Sequence, residues 1–410
     1  MKRPPLTVMK FGGTSVADPE KIQRAAERAV AARKRGHRVV VVVSAPGQMT
    51  DELTALAQRI DDAPDARELD VLLSTGELVG ISLFTIACWS RGAPAISLSG
   101  PQAGIYGDEH HTRSMITNIK PSNILRELDE GKIVAVAGFQ AANPRGELTT
   151  LGRGGSDLSA VALAAVLKAD QCEIYTDVKG VYTADPRLVP QARKIARLSY
   201  EEMLELSSAG AQVMLARSIE MAKRHGVRIH VRSAFYPVPG TWIEPIPEGK
   251  MEQANVSSLA VDKDEVRLSI VEVPDKPGVA AKVLTALAKR DIPIDLIIQS
   301  APTQNGVNDI SFMTPRCHTA AARKALTRLQ KELGAKRVDV HDQVVKLTAV
   351  GTGFRRHPEV AAKMFNALAK SRINIHMIST SDLKICCVID RRHADNAVRL
   401  LHKAFSLGRR

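Results

Sequence analysis

Near its start the chain passes from an apolar stretch, Leu6 to Met9, into Lys10-Phe11-Gly12-Gly13-Thr14-Ser15, which sets an ammonium beside two glycines and two hydroxyls. Without Cβ atoms at Gly12 and Gly13, main-chain amides can approach a ligand closely, and the hydroxyls add donors, so the loop suits phosphate. Asp18-Pro19 reads as an N-cap followed by proline at the first helical position, which places this turn near the positive end of a helix. It is not a Walker loop, in which the lysine follows the glycines. A second cluster, Thr149-Thr150-Leu151-Gly152-Arg153-Gly154-Gly155-Ser156-Asp157, repeats the chemistry. Arg153 can grip a carboxylate or phosphate with two parallel bonds, Asp157 can organise a nearby lysine, and Ser156 or Asp157 can cap the helix that follows. Two such loops, each entering a helix, point to a polyanion such as the phosphates of a nucleotide.

The elements that must position these loops follow from composition. A chain of 410 residues exceeds one ordinary core, and 44% hydrophobic with only 4% aromatic residues implies aliphatic cores of the α/β type. Strand-like runs at Val39–Val43, Ala95–Leu98, Ile133–Ala137, Cys172–Thr176 and Val227–Val231 alternate with helical patterns near 20–34, 52–60, 69–89, 158–167 and 200–206. Such alternation predicts a mainly parallel sheet between helix layers, with ligands at the carboxyl ends of the strands. The Pro- and Gly-rich stretch from Tyr236 to Gly249 breaks the pattern. After it, Pro277-Gly278-Val279, Ala286-Leu287-Ala288-Lys289 and Ile292-Pro293-Ile294 recur as Pro358-Glu359-Val360, Ala367-Leu368-Ala369-Lys370 and Ile373-Asn374-Ile375. With strands at Val266–Val273 and Val344–Val350, and at Asp309–Met313 and Ile385–Ile389, each copy reads as a ferredoxin-like βαββαβ unit. The expected division is a domain over 1–245, a linker over 246–264, and repeats over 265–342 and 343–410.

The net charge of +13 raises nucleic acid as a partner, but the basic residues scatter among acids with no aromatic-interleaved stripe. Anionic small substrates are the expected partners, and nucleic acid is not. Cys88, Cys172, Cys317, Cys386 and Cys387 are odd in number and form no Cys-x-x-Cys pair, as for reduced thiols in cytoplasm. Glu109-His110-His111 reads as a solvated loop, and no metal site built from protein side chains is expected. The start lacks an apolar signal segment and Leu78–Ser90 is too short to cross a bilayer, so no membrane association is expected either.

The two glycine clusters resemble the amino-acid kinase family, and within it the aspartate-phosphorylating branch. Tyr175-Thr176-Asp177-Val178-Lys179-Gly180-Val181-Tyr182-Thr183-Ala184-Asp185-Pro186-Arg187 is similar to the family's nucleotide-binding segment, Arg217-Ser218-Ile219-Glu220 and Val231-Arg232-Ser233 to later signatures, and the paired C-terminal units to ACT domains. The resemblance implies ATP and magnesium as cofactors and L-aspartate as acceptor, with 4-phospho-L-aspartate leading toward lysine, threonine, methionine and diaminopimelate. It makes Lys10 the lysine at the transferring phosphate and Asp157 the acid that orders it. Gly12, Gly13, Ser15, Gly154, Thr176, Asp177, Tyr182, Asp185 and Arg187 would lie at the nucleotide. Ser44, Thr50, Glu77, Phe139, Arg153, Gly155 and Ser156 would form the aspartate pocket, Glu77 facing the amino group and Arg153 the α-carboxylate. One departure stands out: the branch commonly has Gly-Glu-Arg-x-Ser where this chain has Gly76-Glu77-Leu78-Val79-Gly80.

No general base is needed, because an aspartate side chain is already ionised at neutral pH. The resemblance further implies feedback by lysine and/or threonine. Asp275, Gly278, Val279 and Gln299 would line one effector pocket, with Asn374 and Ile375 contributed by a partner in a homodimer or α2β2 assembly. Met251 could start a separate small subunit. The alternatives are a sibling kinase with another acceptor and an amino-acid sensor whose kinase half is inactive.

Overall fold

Val39–Val43 is wholly β-branched and fully buried, as required of a strand covered on both faces, and it lies near the middle of the main sheet. The computed structural model describes residues 3–211, 213–246 and 255–408; Met251 lies outside them. The described chain forms two compact units, and the second gathers Tyr182–Arg193, Ser208–Ala211 and the described chain from residue 255 onward.

In the first unit an eight-stranded sheet runs Arg197–Leu198, Thr241–Ile243, Ile229–Ser233, Gln171–Thr176, Leu6–Phe11, Arg38–Val43, Ile133–Ala137, Ala95–Leu98. All pairings are parallel except that of Ile229–Ser233 with Thr241–Ile243. Helices Pro19–Lys34 and Ala66–Trp89 cover the face made by Met9, Phe11, Val41 and Ala135. Helix Gly155–Val166 packs on Leu6–Phe11 and its neighbours, and Ala216–His225 packs on that helix.

Several sequence expectations change. The strand expected at Val227–Val231 begins two residues later, and Thr241–Ile243, inside the Pro- and Gly-rich break, is a strand at the sheet's edge region. A small second sheet of Ile105–Gly107, Ile116–Ile119, Gln140–Ala142 and Leu148–Thr150 was not expected, because strands of three or four residues carry almost no periodicity. The helix expected near 69–89 is Ala66–Trp89, and as a whole, unlike its uncharged run Leu78–Ser90, it has the length and hydropathy to cross a bilayer. Its inward face nevertheless buries Asp70 and Glu77 beside Ile81 and Phe84, and it packs on the sheet and on Pro19–Lys34 as a core helix does.

In the second unit the first repeat is βαββαβ: Glu265–Pro274, Val279–Ala288, Asp295–Gln299, Val307–Pro315, Thr319–Leu333 and Arg337–His341. Its antiparallel sheet has the order 295–299, 307–315, 265–274, 337–341. The second repeat supplies Val344–Thr352, Ile375–Thr380 and Lys384–Asp390 with two helices, but its fourth strand is Asn255–Asp262. That segment, read as linker from sequence, pairs antiparallel with Val344–Thr352. Tyr182, Ala184 and Val189 join the core of this repeat with Leu347 and Leu401.

The two repeats meet through Met313, Val344, Met377 and Val388 and through one buried cation. Lys346 Nζ lies 2.6 Å from Asp295 and 3.0 Å from Glu265. Burial alone pushes the ammonium's pKa down; the two carboxylates reverse this and hold it above its ordinary value. Removing the lysine strands a buried carboxylate. Lys346→Ala should therefore cost roughly 3–5 kcal/mol in the urea unfolding of this unit, whereas Lys346→Met combined with Glu265→Leu should cost far less. Equal losses for both variants would show that the charges contribute nothing here beyond their packing.

Candidate active site

Lys10 is the penultimate residue of Leu6–Phe11, in the interior of the sheet, and its side chain points to the face covered by Gly155–Val166. Asp157 stands in the first turn of that helix, where the N-terminal dipole favours a carboxylate. The two meet at 2.6 Å, each side chain only about a tenth exposed. Both glycine loops converge on this pair.

In the first loop the glycines answer to crowding, not to an unusual φ. Gly12 is extended, and a Cβ there would sit 3.2 Å from Lys10 Nζ; one at Gly13 would meet the Ala45 carbonyl at 2.7 Å and the Gly47 carbonyl at 2.8 Å. The amide of Gly47 donates to the Gly13 carbonyl at 3.0 Å, locking this turn to the one after Arg38–Val43. The chain goes directly into a 3-10 turn, Gly13–Val16, before Asp18 caps Pro19–Lys34 by accepting from the Lys21 amide. Ser15 Oγ is buried with no partner among the described residues.

The second loop needs left-handed backbone at Gly152 and Gly154, with φ of +79° and +75°. Gly154 is the N-cap, so the helix starts earlier than expected, and neither Ser156 nor Asp157 is the capping residue. Phe139 also has positive φ; its amide donates to Ser159 Oγ, and its ring leaves no room for a Cβ at Gly155. Ser156 packs against Gly138, where a Cβ would lie 2.6 Å from its Oγ. Arg217 secures the approach by donating to the carbonyls of Leu151 and Ser114. Arg153 itself stands in solvent, 3.8 Å from Asp51.

Glu77 comes to the same strand ends from Ala66–Trp89. The Ala45 amide donates to its Oε1 at 3.2 Å, and its Oε2 is buried with no partner among the described residues. Burial pushes its pKa up to about 7, against the smaller opposing effect of the Ala45 amide. The folded value lies above the ordinary one, so folding takes up a proton here; the site costs stability increasingly as pH rises from about 4.5 to 7. The departure after Glu77 has a local cause. A Cβ at Gly80 would lie 2.6 Å from the Ser44 carbonyl and one at Gly76 2.8 Å from the Ala45 Cβ, while Leu78 faces outward.

Ser44 follows the strand end, its amide donating to the Phe11 carbonyl at 3.1 Å, and Thr50 lies in the first turn of Met49–Gln58. Thr176 closes the next strand and its hydroxyl donates to Asp177. Tyr182, Asp185 and Arg187 belong to the second unit, where Asp185 is engaged by the Arg187 guanidinium at 2.7 Å.

Sequence reasoning missed Asp70. Fully buried, it accepts from Thr150 Oγ1 at 2.5 Å and from the Thr112 amide at 2.9 Å, and pairs with His111 Nδ1 at 2.9 Å. It thereby ties the Glu77 helix to the strand entering the second glycine loop. His111 is thus largely buried and bonded, contrary to the solvated-loop reading, whereas His110 is exposed beside Asp108. Two acids seven residues apart on one face of an apolar helix were the available signal.

Of the residues expected at an effector pocket, Gly278 has φ of +90° and caps Val279–Ala288 over open space, with Asp275 accepting from Asn308 at 2.9 Å. Gln299 ends the strand beginning at Asp295, and Ile375 opens the corresponding strand of the second repeat just after Asn374.

Residues 5–233 match the amino acid kinase family, and residues 266–334 and 347–405 each match the ACT domain. The chain is 46% identical to the aspartate kinase of Pseudomonas putida, with 98% of each chain covered. In structure it resembles E. coli aspartokinase III in complex with aspartate and ADP, at a TM-score of 0.81 and 25% identity over 97% of this chain and 99% of that one. The same enzyme in complex with lysine and aspartate aligns with a TM-score of 0.76 and 26% identity over 98% and 99%. With more than half of its length matching the kinase family and an end-to-end relative at this identity, the chain belongs to the amino acid kinase family as an aspartate kinase carrying two ACT domains.

Proposed function

We propose that the Lys10–Asp157 pair is the centre at which the γ-phosphoryl group of ATP passes to the side-chain carboxylate of L-aspartate, giving 4-phospho-L-aspartate and ADP. The observation that carries this is the 2.6 Å ion pair at the junction of two glycine loops, beside a buried carboxylate that lacks a countercharge. A carboxylate oxygen of aspartate attacks phosphorus, the bond to the bridging oxygen of ADP breaks, and no proton moves, because the nucleophile is already ionised. The difficulty is an anion approaching a polyanion, and Lys10 with the Gly12, Gly13 and Gly154 amides supplies positive potential there. Asp157 holds the ammonium in place. Ser15, Thr176 and Asp177 would complete the nucleotide side within the first unit, and Tyr182, Asp185 and Arg187 are assigned to it by resemblance alone.

For aspartate, Glu77 offers its unpartnered oxygen to the ammonium group. Arg153, free in solvent, is available to fold onto the α-carboxylate; Ser44, Thr50, Phe139, Gly155 and Ser156 line the remainder. Magnesium would travel with the nucleotide. Among the described residues no group of three or more His, Cys, Asp or Glu side chains could hold it, so no step is assigned to it.

The product would feed lysine, threonine, methionine and diaminopimelate synthesis in the cytoplasm, where five unpaired cysteines are at home. Regulation by lysine and/or threonine is supported by the open glycine turn at Gly278 and by the lysine-bound relative. The second repeat has Glu359 where the first has Gly278, and suits an interface in a homodimer or α2β2 assembly.

ADP release measured across a panel of acidic amino acids should respond to aspartate alone, and Lys10→Ala should lower turnover on the order of 100-fold or more; turnover within a few-fold of the parent would remove Lys10 from the mechanism. Glu77 binds an ammonium only when ionised, so the KM for aspartate should rise as pH falls from 8 to 6 through its pKa of about 7. Glu77→Gln should raise KM and flatten that profile, and an unchanged profile would sink the assignment. Asp275→Ala should relieve inhibition by the effector amino acid while leaving uninhibited turnover intact, a result that inhibition curves would decide.

A further inference from the structure

Asp70 is a fully buried carboxylate in a largely apolar helix, at a position where an aliphatic side chain would be the ordinary occupant. Its bonds all run to one place. Thr150 Oγ1 donates to Oδ1 at 2.5 Å and the Thr112 amide to Oδ2 at 2.9 Å, while His111 Nδ1 lies 2.9 Å from Oδ2. Four residues on, the Ser74 carbonyl accepts from Gln140 Nε2 at 2.6 Å, and Gln140 is the register partner of Thr150 in the small sheet. Asp70, Ser74 and Glu77 share the inward face of Ala66–Trp89. Two successive turns of the helix are therefore pinned to neighbouring strands just before the residue that meets the Ala45 amide.

Those strands frame the second glycine loop. Thr150 stands two residues before Gly152, and Gln140 follows Phe139, whose carbonyl accepts from the Leu151 amide at 2.9 Å. Thr112 carries the strain of the arrangement. With φ of +63° it is the only β-branched residue of positive φ among the described residues. Its carbonyl lies 3.3 Å from where a Cβ on Gly152 would be, so one left-handed turn is fitted against another. Such backbone persists only where its surroundings over-determine it, and Asp70 supplies that by engaging both His111 and the Thr112 amide. The Ser114 amide donates to the Thr150 carbonyl at 2.8 Å and Arg217 bonds the carbonyls of Ser114 and Leu151, which joins the 108–114 loop and the glycine loop into one block.

We infer that Asp70 is a positioning residue of the phosphoryl-transfer site. Through Thr112 and Thr150 it sets the second glycine loop, with Arg153 and Asp157, relative to Glu77 on its own helix, and so aligns the aspartate carboxylate with the phosphorus it attacks. The inference rests on the roles proposed above for Glu77 and Arg153. A buried carboxylate adds little stability over an apolar side chain of similar size, but its bonds select one arrangement of the segments it joins.

The test is steady-state kinetics of the full chain, with folding followed by circular dichroism and urea unfolding. Asp70→Ala should raise the KM for aspartate about 10-fold and lower kcat/KM about 100-fold, the cost of a small misplacement at a reacting centre. Asp70→Asn can still accept from Thr112 and Thr150 and donate to His111, and should bring the KM back to within about threefold of the parent. A merely structural role would lower the urea midpoint and the active fraction while leaving the KM of the folded molecules unchanged. Should Asp70→Ala fail to fold, Thr150→Val removes one bond to Asp70 from a side chain of the same shape, and should raise the KM for aspartate about threefold or more. A folded Asp70→Ala with the parent's KM, or in its place Thr150→Val with the parent's KM, would overturn the inference whatever Glu77→Gln does. Glu77→Gln with the parent's KM, beside a raised value in the Asp70 variant, would overturn only the assignment of the substrate's amine to Glu77.

Discussion

An ammonium placed at the end of a buried central strand cannot stand alone, and Lys10 meets that constraint with Asp157 at 2.6 Å. Much of the first unit's architecture follows from it. The lysine has to come from a strand with helices on both sides, so that its stem is packed and its head emerges at the carboxyl end of the sheet. The carboxylate has to come from the first turn of the helix on that face, where backbone amides favour negative charge. Both segments then pass through one small volume, which excludes side chains on Gly13 and Gly155, crowds one on Gly12 and presses the Ser44–Gly47 turn against the first loop.

The two carboxylates near this point differ in environment. Asp157 has its cation built in, whereas Glu77 is buried with one oxygen bonded to an amide and the other to nothing in the chain. The first arrangement has its countercharge within the chain; the second has none among the described residues. They stand on opposite helices, one from each face of the sheet, so in the proposed reaction the phosphate and the amine of the substrate would be handled on separate sides. Asp70, two turns before Glu77, connects the helix to the strand feeding the second loop, so the two sides are not independent.

Sequence alone made the two loops, five strands of the main sheet and the repeat legible, because each leaves a periodic or compositional trace. Lys10 and Asp157 stood out as a cation and an acid set in glycine loops, whereas Glu77 was singled out only through the resemblance of whole segments, its pairing with Asp70 seven residues earlier on the same helix face having gone unread. The three- and four-residue strands of the small sheet were invisible for want of a period. So was the strand Asn255–Asp262, which follows a Pro- and Gly-rich stretch and is defined by a partner nearly a hundred residues away. The identity of the helix cap at Gly154 was also out of reach: it depends on a left-handed φ, while Ser156 and Asp157 carry the usual capping side chains.

That distant pairing makes the first ACT unit an insertion within the second. The strand Asn255–Asp262 is synthesised before the whole of the first unit and has no sheet to join until Val344–Thr352 exists. At bacterial or eukaryotic ribosome speeds of about 5–20 residues per second, the intervening residues amount to a wait of roughly 4–16 s. During it the first unit, whose strands are all local to it, can fold to completion. The chain thus sets an order of assembly: the inner unit closes first and brings the ends of the outer one together, lowering the entropy cost of its longest-range pairing.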